Sequence, residues 1–396
     1  MTLVVHSARL IAETAEGRVE DLPDAWVRIE GGRVAARGTG EAWRMVAAGG
    51  DRIVDAARTV GEGALVTPGL VDIHVHGGGG ASYDADDDDA LEQALATHAA
   101  HGTTRSVLSL VSGSPADTER RVARIARLAA STAGVLGSHL EGPFLDHDHR
   151  GAHDPRQLRV PDAAELERLL TAGAGTVRQV TIAPEHPGAL DAIRRIVDAG
   201  AAAAVGHTGA DERMTRAAFD AGATILTHAF NAMPGLHHRA PGPVGAAASD
   251  DRVTLEVIAD GVHLDPTVVA LLFRLAPGRV ALITDAMAAA GVGDGTWMLG
   301  SQPVEVREGV ARLSGSEIIA GSTLTQDRAL RVAVASGVPL ADAVAALTSV
   351  PARAVGHPEL GLLDAGSPAD LVLWDRDLAA RAVWRAGEPL PGAGAP

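Results

Sequence analysis

The sequence predicts an α/β fold, a closed (β/α)8 barrel carrying a small β-sandwich domain built from both chain ends. Three observations predict it. Between about residues 65 and 350, short aliphatic strands alternate with Ala-rich helical stretches, the pattern of βα units around a parallel sheet. Eight strand candidates fall in that span, at 70–76, 104–110, 135–141, 178–183, 203–207, 224–228, 253–258 and 280–285, and eight is the number that closes a barrel. The two chain ends share a different texture of short alternating strands and turns.

Taken in order, "TLVVHSARLI", "AWVRIEGGRVAARG" and "DRIVDA" read as strands, with "GGR" between two alternating runs as a hairpin signal. The tail repeats the texture in "ADLVLWDRD" and "ARAVWRAGEPL". The expected division is therefore a sandwich from residues 1–63 and 359–396 around a barrel at 64–358. The acidic run in "DADDDDALEQALATHAAHG" opens the first barrel helix, where Asp86 to Asp89 complement the helix dipole. After the eighth strand, "TWMLGSQPVEVREGVARLSGSEIIAG" reads as an inserted hairpin.

Bulk composition excludes several function classes. A hydrophobic share of 46 % over 396 residues is ample for burial, and no apolar run reaches membrane-spanning length. The opening "MTLVVHSARLIAETAEG" lacks the pattern of a signal peptide, and with no cysteine there is neither a disulfide framework nor thiolate chemistry; a cytoplasmic protein is expected. A net charge of −16 argues against nucleic-acid or anionic-membrane partners. The chain also has no lysine, which rules out a Schiff-base lysine, a P-loop lysine or a carbamylated lysine bridging two metals. Any metal must be held by carboxylate or histidine.

Sixteen histidines in 396 residues give roughly one H-x-H by chance, so the motif alone is weak. One copy, His147 and His149 in "LDHDHRGAH", is flanked by charges and reads as a solvated loop. The other, His74 and His76 in "VTPGLVDIHVHGGGG", alternates at period two with Val71, Ile73 and Val75, so a strand turns Asp72, His74 and His76 to one face. Sites on such barrels lie at the C-terminal strand ends. Strand one ends with His74 and His76, strand three with His139 and Glu141, strand five at His207, strand six at His228 and strand eight at Asp285. Five strand ends agreeing on metal-capable side chains point to a metal site. His139 is read as supporting or structural, Asp72 as support for the strand-one histidines, and His98, His101, His237 and His238 as structural or surface residues.

These motifs, together with "PGLVDIHVHGGGG", "HLEGPF", "VGHTGA", "THAFNAMPGLHHRAPG", "IADGVHLD", "LITDAMAAAGVGDG" and "AGSTLT" in that order, resemble the amidohydrolase superfamily and, within it, the N-acetylglucosamine-6-phosphate deacetylase family. The resemblance runs over essentially the whole barrel. It implies a main divalent metal on Glu141, His207 and His228, and a second one on His74 and His76 with Glu141 bridging. The metal is zinc by preference, with iron, cobalt or manganese also suited to such ligands. It implies Asp285 as general base and then acid, after water attacks the acetamide carbonyl. It implies His153 orienting the acetamide, and Asn231, Ala232, His263, Leu324 and Thr325 as substrate contacts. Arg239 would reach the sugar phosphate across a homodimer interface. The products would be acetate and D-glucosamine 6-phosphate, in amino-sugar catabolism and cell-wall sugar recycling.

The sequence departs from the family pattern twice. Ala240 stands where a glutamate usually follows the arginine, which bears on the pose of that loop. Gln326 stands where a methionine usually follows "GSTLT", which bears on the sugar-facing wall. Two rival readings stay open on the sequence. One is a deacetylase of N-acetylgalactosamine 6-phosphate or another metal-dependent amidohydrolase; the other is a non-catalytic oligomeric scaffold, against which the complete ligand set argues.

Overall fold

The structure is a computed structural model that describes residues 2–392; Met1 and 393–396, the outer ends of the expected sandwich, lie outside the described residues. Eight parallel strands, Leu70–Val75, Thr103–Leu110, Val135–Glu141, Val177–Ile182, Ala202–Val205, Ile225–Leu226, Thr254–Ile258 and Val280–Ile283, form one sheet in which each pairs with its neighbours in sequence. Strands five, six and eight stop two residues short of the expected histidine or aspartate. The cause is local. His207, His228 and Asp285 have φ of 47°, 28° and 49°, a left-handed conformation that cannot continue a ladder.

Strand one and strand eight meet along a seam. The Asp285 amide donates to the His74 carbonyl at 2.8 Å, and the His76 and Gly77 amides donate to the Ala286 carbonyl at 2.8 and 3.0 Å. Below them the Thr284 hydroxyl donates to Asp72 Oδ2 at 2.6 Å, while Asp72 Oδ1 accepts the His74 amide at 3.2 Å. Asp72 is thus a strut between the first and last strands. Its complete burial raises its carboxyl to about 7.

The outer helices follow ordinary rules. Pro115–Ser131 starts at Ser114, whose hydroxyl accepts the Asp117 amide, has proline in its first turn, and buries Thr118, Val122 and Ile125 against the barrel. Asp88–Ala100 is the helix opened by the acidic run, capped by the Asp87 side chain. The insert after strand eight is a three-stranded meander, Gly295–Leu299, Gln302–Arg307 and Val310–Leu313, one strand more than expected. Glu308 and Gly309, with φ of 52° and 75°, make a second two-residue turn of the primed type that suits hairpins. Its Leu299, Val304 and Val306 pack on Val111 and Met287 above the barrel mouth.

Both chain ends join in one continuous sheet of eight strands. Leu371–Trp374 runs antiparallel to Leu65–Pro68, which stitches the tail to the start of the barrel. The "GGR" turn connects Val19–Glu30 to Arg33–Thr39, with Gly31 and Gly32 both at positive φ. This sheet has a core of its own, including Leu3, Leu10, Ile29 and Trp384. Trp374 faces the barrel core instead, fully buried, and its indole donates to Thr67 Oγ1 at 2.9 Å. Trp374→Ala removes a large, fully buried side chain that the tail strand packs into the barrel core. It is expected to lower stability by about 3–5 kcal/mol, read as a fall in the denaturant midpoint; a change within about 1 kcal/mol would refute this packing role.

Candidate active site

A cavity of about 590 Å³ opens at the C-terminal ends of the barrel strands, and His76, Glu141, His153, His207, His228 and Asp285 all line it. At its floor Glu141 is the hub. Its Oε1 lies 3.1 Å from His207 Nε2, 3.2 Å from His228 Nε2 and 3.4 Å from His74 Nε2. Its Oε2 lies 3.2 Å from His76 Nε2 and 3.3 Å from His153 Nε2. Burial alone would raise the Glu141 carboxyl, but the imidazoles around it, His74 and His153 first, hold it well below its usual range. Asp285 Oδ1 stands 3.5 Å from His74 Nε2 and 3.3 Å from His76 Nε2. Burial raises Asp285 too, and the same two rings outweigh it, so it stays a carboxylate.

Proton positions on three rings follow from their partners. His207 Nδ1 is 2.9 Å from the His149 carbonyl oxygen, which only accepts, so Nδ1 carries the proton and Nε2 presents a lone pair. His74 Nδ1 is 3.0 Å from Glu256 Oε2, so its Nδ1 carries a proton too. Burial opposes a charged ring, but Glu141, Asp285 and Glu256 outweigh it and raise the His74 pKa well above its usual value. Its Nε2 therefore offers a lone pair once a cation replaces its proton. His153 is reversed. Its Nδ1 accepts the Ser112 amide at 3.3 Å and burial lowers its pKa, so the ring is neutral and Nε2 bears a hydrogen to donate.

This donor set fits a divalent metal. His207 and His228 bring their Nε2 atoms to 2.9 Å of each other, and His74 and His76 to 3.2 Å, each pair beside a Glu141 oxygen. Lone pairs converging this closely repel unless a cation shares them. His74, His76 and Glu141 form one such buried group. His153 also stands within ligating distance of Glu141 and His207, but with hydrogen on its Nε2 it is a donor there and not a ligand.

The backbone is strained where the chemistry would sit. The left-handed φ of His207, His228 and Asp285 costs of order 1–3 kcal/mol each and persists only where surroundings enforce it. For Asp285 they do: its amide is held by His74, and its carbonyl accepts the Ser322 amide at 2.7 Å. Gly151 suits its position, since φ there is +55° and a Cβ would press on the His207 ring at 3.2 Å.

Other expected residues fall into two groups. Asn231, Ala232 and His263 line the cavity. Asp260 Oδ2 lies 2.7 Å from His263 Nδ1; burial works against a charged ring, but this carboxylate outweighs it and raises the His263 pKa. Leu324 and Thr325 do not line the cavity. Leu324 is packed in the barrel core and the Thr325 hydroxyl donates to Asp327; Gly321, earlier in the same motif, and Ile319, just before it, take the wall position. Gln326 is likewise not a wall residue. Fully buried, it accepts the Thr103 hydroxyl and donates to the Val71 carbonyl, both at 2.9 Å. Arg239 is exposed and does not line the cavity of its own chain. It sits on a tight turn closed by reciprocal backbone bonds between His237 and Ala240, so Ala240 serves the loop through its main chain.

The "LDHDHRGAH" loop is not simply solvated. His147 is exposed, but His149, Arg150 and Gly151 line the cavity, and Asp146 anchors the His149 ring at 2.7 Å. His139 is buried between Ser109 Oγ and Thr181 Oγ1, at 2.9 and 2.8 Å, and burial holds it neutral. That is a supporting position.

The chain matches the amidohydrolase family over residues 65–390. It is 38 % identical over 394 residues to N-acetylgalactosamine-6-phosphate deacetylase of Escherichia coli O157:H7, covering 98 % of this chain and 99 % of that one. It is 36 % identical to human N-acetylglucosamine-6-phosphate deacetylase over 351 residues, 85 % of this chain and 86 % of that one. Among solved structures, N-acetyl-D-glucosamine-6-phosphate deacetylase from Mycobacterium smegmatis, as a mutant in complex with N-acetyl-D-glucosamine 6-phosphate, superposes with a TM-score of 0.91 at 45 % identity, covering 98 % of this chain and 99 % of that one.

Proposed function

The chain belongs to the amidohydrolase family and, within it, to the N-acetylglucosamine-6-phosphate deacetylases, and from that membership we propose that it hydrolyses the acetamide of N-acetyl-D-glucosamine 6-phosphate to acetate and D-glucosamine 6-phosphate. The observation that carries the reading is the Asp285 carboxylate poised beside the Glu141–histidine cluster at the floor of a sugar-sized cavity. Glu141, His207 and His228 would hold the main divalent cation, and His74 and His76 a second one; zinc suits the donors best, with iron, cobalt and manganese as alternatives. Such a cation, when bound, supplies a Lewis acid that brings the pKa of water from about 15.7 to roughly 7.

The chain's own groups do the rest. Asp285 takes the proton of the attacking water, then returns it to the departing sugar nitrogen, acting as base and then acid. His153 lines the cavity with its Nε2–H beside Glu141, and it donates to the acetamide oxygen as charge develops there. Asn231, Ala232 and His263 line the sugar's side. His263, with Asp260 favouring its charged form, and Arg150 bring cationic side chains to the cavity wall, against the chain's net −16. Arg239 of the partner subunit completes the phosphate contact in a homodimer, consistent with its exposed position outside the lining of its own cavity. The barrel at 64–358 is the catalytic unit.

Arg239→Ala is expected to raise KM for the phosphorylated sugar by about 10–100-fold, the range for one charge-assisted contact, with activity on unphosphorylated N-acetylglucosamine unmoved. Equal losses on both sugars would remove Arg239 from phosphate recognition. A second reading has a specific basis, the full-length 38 % identity to a galactosamine-type deacetylase: the substrate would be N-acetylgalactosamine 6-phosphate. Acetate release from the two epimers, compared as kcat/KM, decides. Preference for the gluco epimer supports the first reading, and preference for the galacto epimer replaces it with the second.

A further inference from the structure

Glu256 stands in the middle of the seventh barrel strand, in "TLEVIAD", and is fully buried. We propose that Glu256 is a positioning residue for a second divalent cation: its carboxylate fixes the His74 ring in the tautomer and orientation that offer Nε2 to the His74/His76 site. The inference rests on the reading of the buried cluster as a metal centre.

A lone carboxylate inside an aliphatic strand is costly to bury unless it is paired and hydrogen-bonded. Glu256 has three partners. Oε2 accepts from His74 Nδ1 at 3.0 Å and from the His228 amide at 3.3 Å, and Oε1 accepts from Gln179 Nε2 at 2.7 Å. No arginine is among them, and the chain has no lysine. His74 is the only ion-pair partner of Glu256 among the described residues. The buried charge is therefore balanced through the His74 ring and whatever that ring holds.

The geometry of the link is specific. The Glu256 oxygen accepts, so the shared hydrogen belongs to Nδ1, and Nε2 is left as the ring atom that faces His76, Glu141 and Asp285 and can take a cation. Carboxylates in this relation orient a metal-binding histidine and raise its basicity. Charge counting points the same way. Glu141, Asp285 and Glu256 bring three negative charges to one cluster of imidazoles; one dication leaves that cluster negative, whereas two leave it positive and able to receive an anion. Glu256 also reaches the main site, but only through the backbone amide of His228. Removing its charge therefore strikes the two sites unequally.

Glu256→Gln isolates that charge. The amide oxygen can still accept from His74 and His228. The new amino group can donate to Gln179 Oε1, which has no partner at present, once the Gln179 amide turns over. The test is cobalt(II) titration of metal-stripped protein, followed by calorimetry and by bound cobalt per chain after dialysis. Wild type is expected to take two ions. In E256Q the weaker ion should lose about 10–100-fold in affinity and the tighter one less than about threefold. His74→Ala should abolish the weaker ion, which identifies its site.

Three results would overturn the proposal: a single ion in wild type, unchanged affinities in E256Q, or equal weakening of both sites, which marks a merely structural carboxylate. Should E256Q not fold without metal, Gln179→Met carries the test. It removes only the amide that holds Oε1 and should weaken the same ion to a smaller degree; no shift there overturns the proposal equally. None of these readouts involves a sugar, so failure of the metal titration is distinguishable from failure of the acetate assay.

Discussion

Asp285→Asn is expected to lower kcat for acetate release by about 10²–10⁴-fold, the usual contribution of a positioned proton-transfer group. The substitution keeps shape and most hydrogen-bonding capacity, and the main-chain bonds that hold residue 285 in its left-handed conformation do not involve the side chain. What it removes is a buried carboxylate kept ionised by His74 and His76. An amide cannot take the proton of water, so the first step loses its base, and it has none to return, so the sugar amine leaves without its acid. KM should change little, because the ground-state acetamide is held by other groups. Purified variant and wild type, assayed with the same metal content, decide the matter. A variant keeping more than about a tenth of wild-type kcat would remove Asp285 from proton transfer.

Glu141→Gln should have the other large effect, on the metal rather than on the proton. Five imidazoles stand within 3.4 Å of this one carboxylate. Taking one charged partner out of a buried network costs about 3–5 kcal/mol, which is roughly 10²–10⁴-fold in metal affinity. The amide nitrogen would also face ring nitrogens whose lone pairs it cannot all satisfy. Metal content after dialysis and acetate release should fall together. Activity falling while bound metal stays at the wild-type level would show that Glu141 acts on the substrate and not on a metal.

Much of the site is legible in the residues because the barrel writes it at strand ends. Each of His74, His139, Glu141, His207, His228 and Asp285 closes an aliphatic run, and the strand pattern alone puts all six at one mouth. The ends of strands five, six and eight differ from expectation by two residues for the same reason that they matter. A side chain turned into a cavity at positive φ has already left the ladder, and hydrophobic periodicity does not register φ.

Glu256 escapes a search of strand ends because it lies within its strand. The signal is there: one carboxylate between Leu255 and Val257, the pattern that marks Asp72. His149 and Arg150 are hidden by the charged texture of a long loop, which looks the same in sequence whether it faces solvent or folds over a pocket. Leu324 and Thr325, at the end of "AGSTLT", are implied as substrate contacts by the family resemblance. In three dimensions that stretch turns inward at Ser322, whose hydroxyl donates to the Thr284 carbonyl at 2.6 Å, so only its first residues reach the cavity.

The seam between the first and last barrel strands sets a timetable for synthesis. Thr284 and Asp72, which clasp across it, are 212 positions apart, and the strand that stitches the tail to the barrel comes later still, at Leu371–Trp374. His74 and His76 therefore leave the ribosome long before Asp285 and wait through most of translation. Contacts of such long range form late and slowly. A chain released before strand eight would expose strand one, with its polar inward face, as an open edge. Chains truncated before the eighth strand are therefore expected to be inactive and prone to aggregation together.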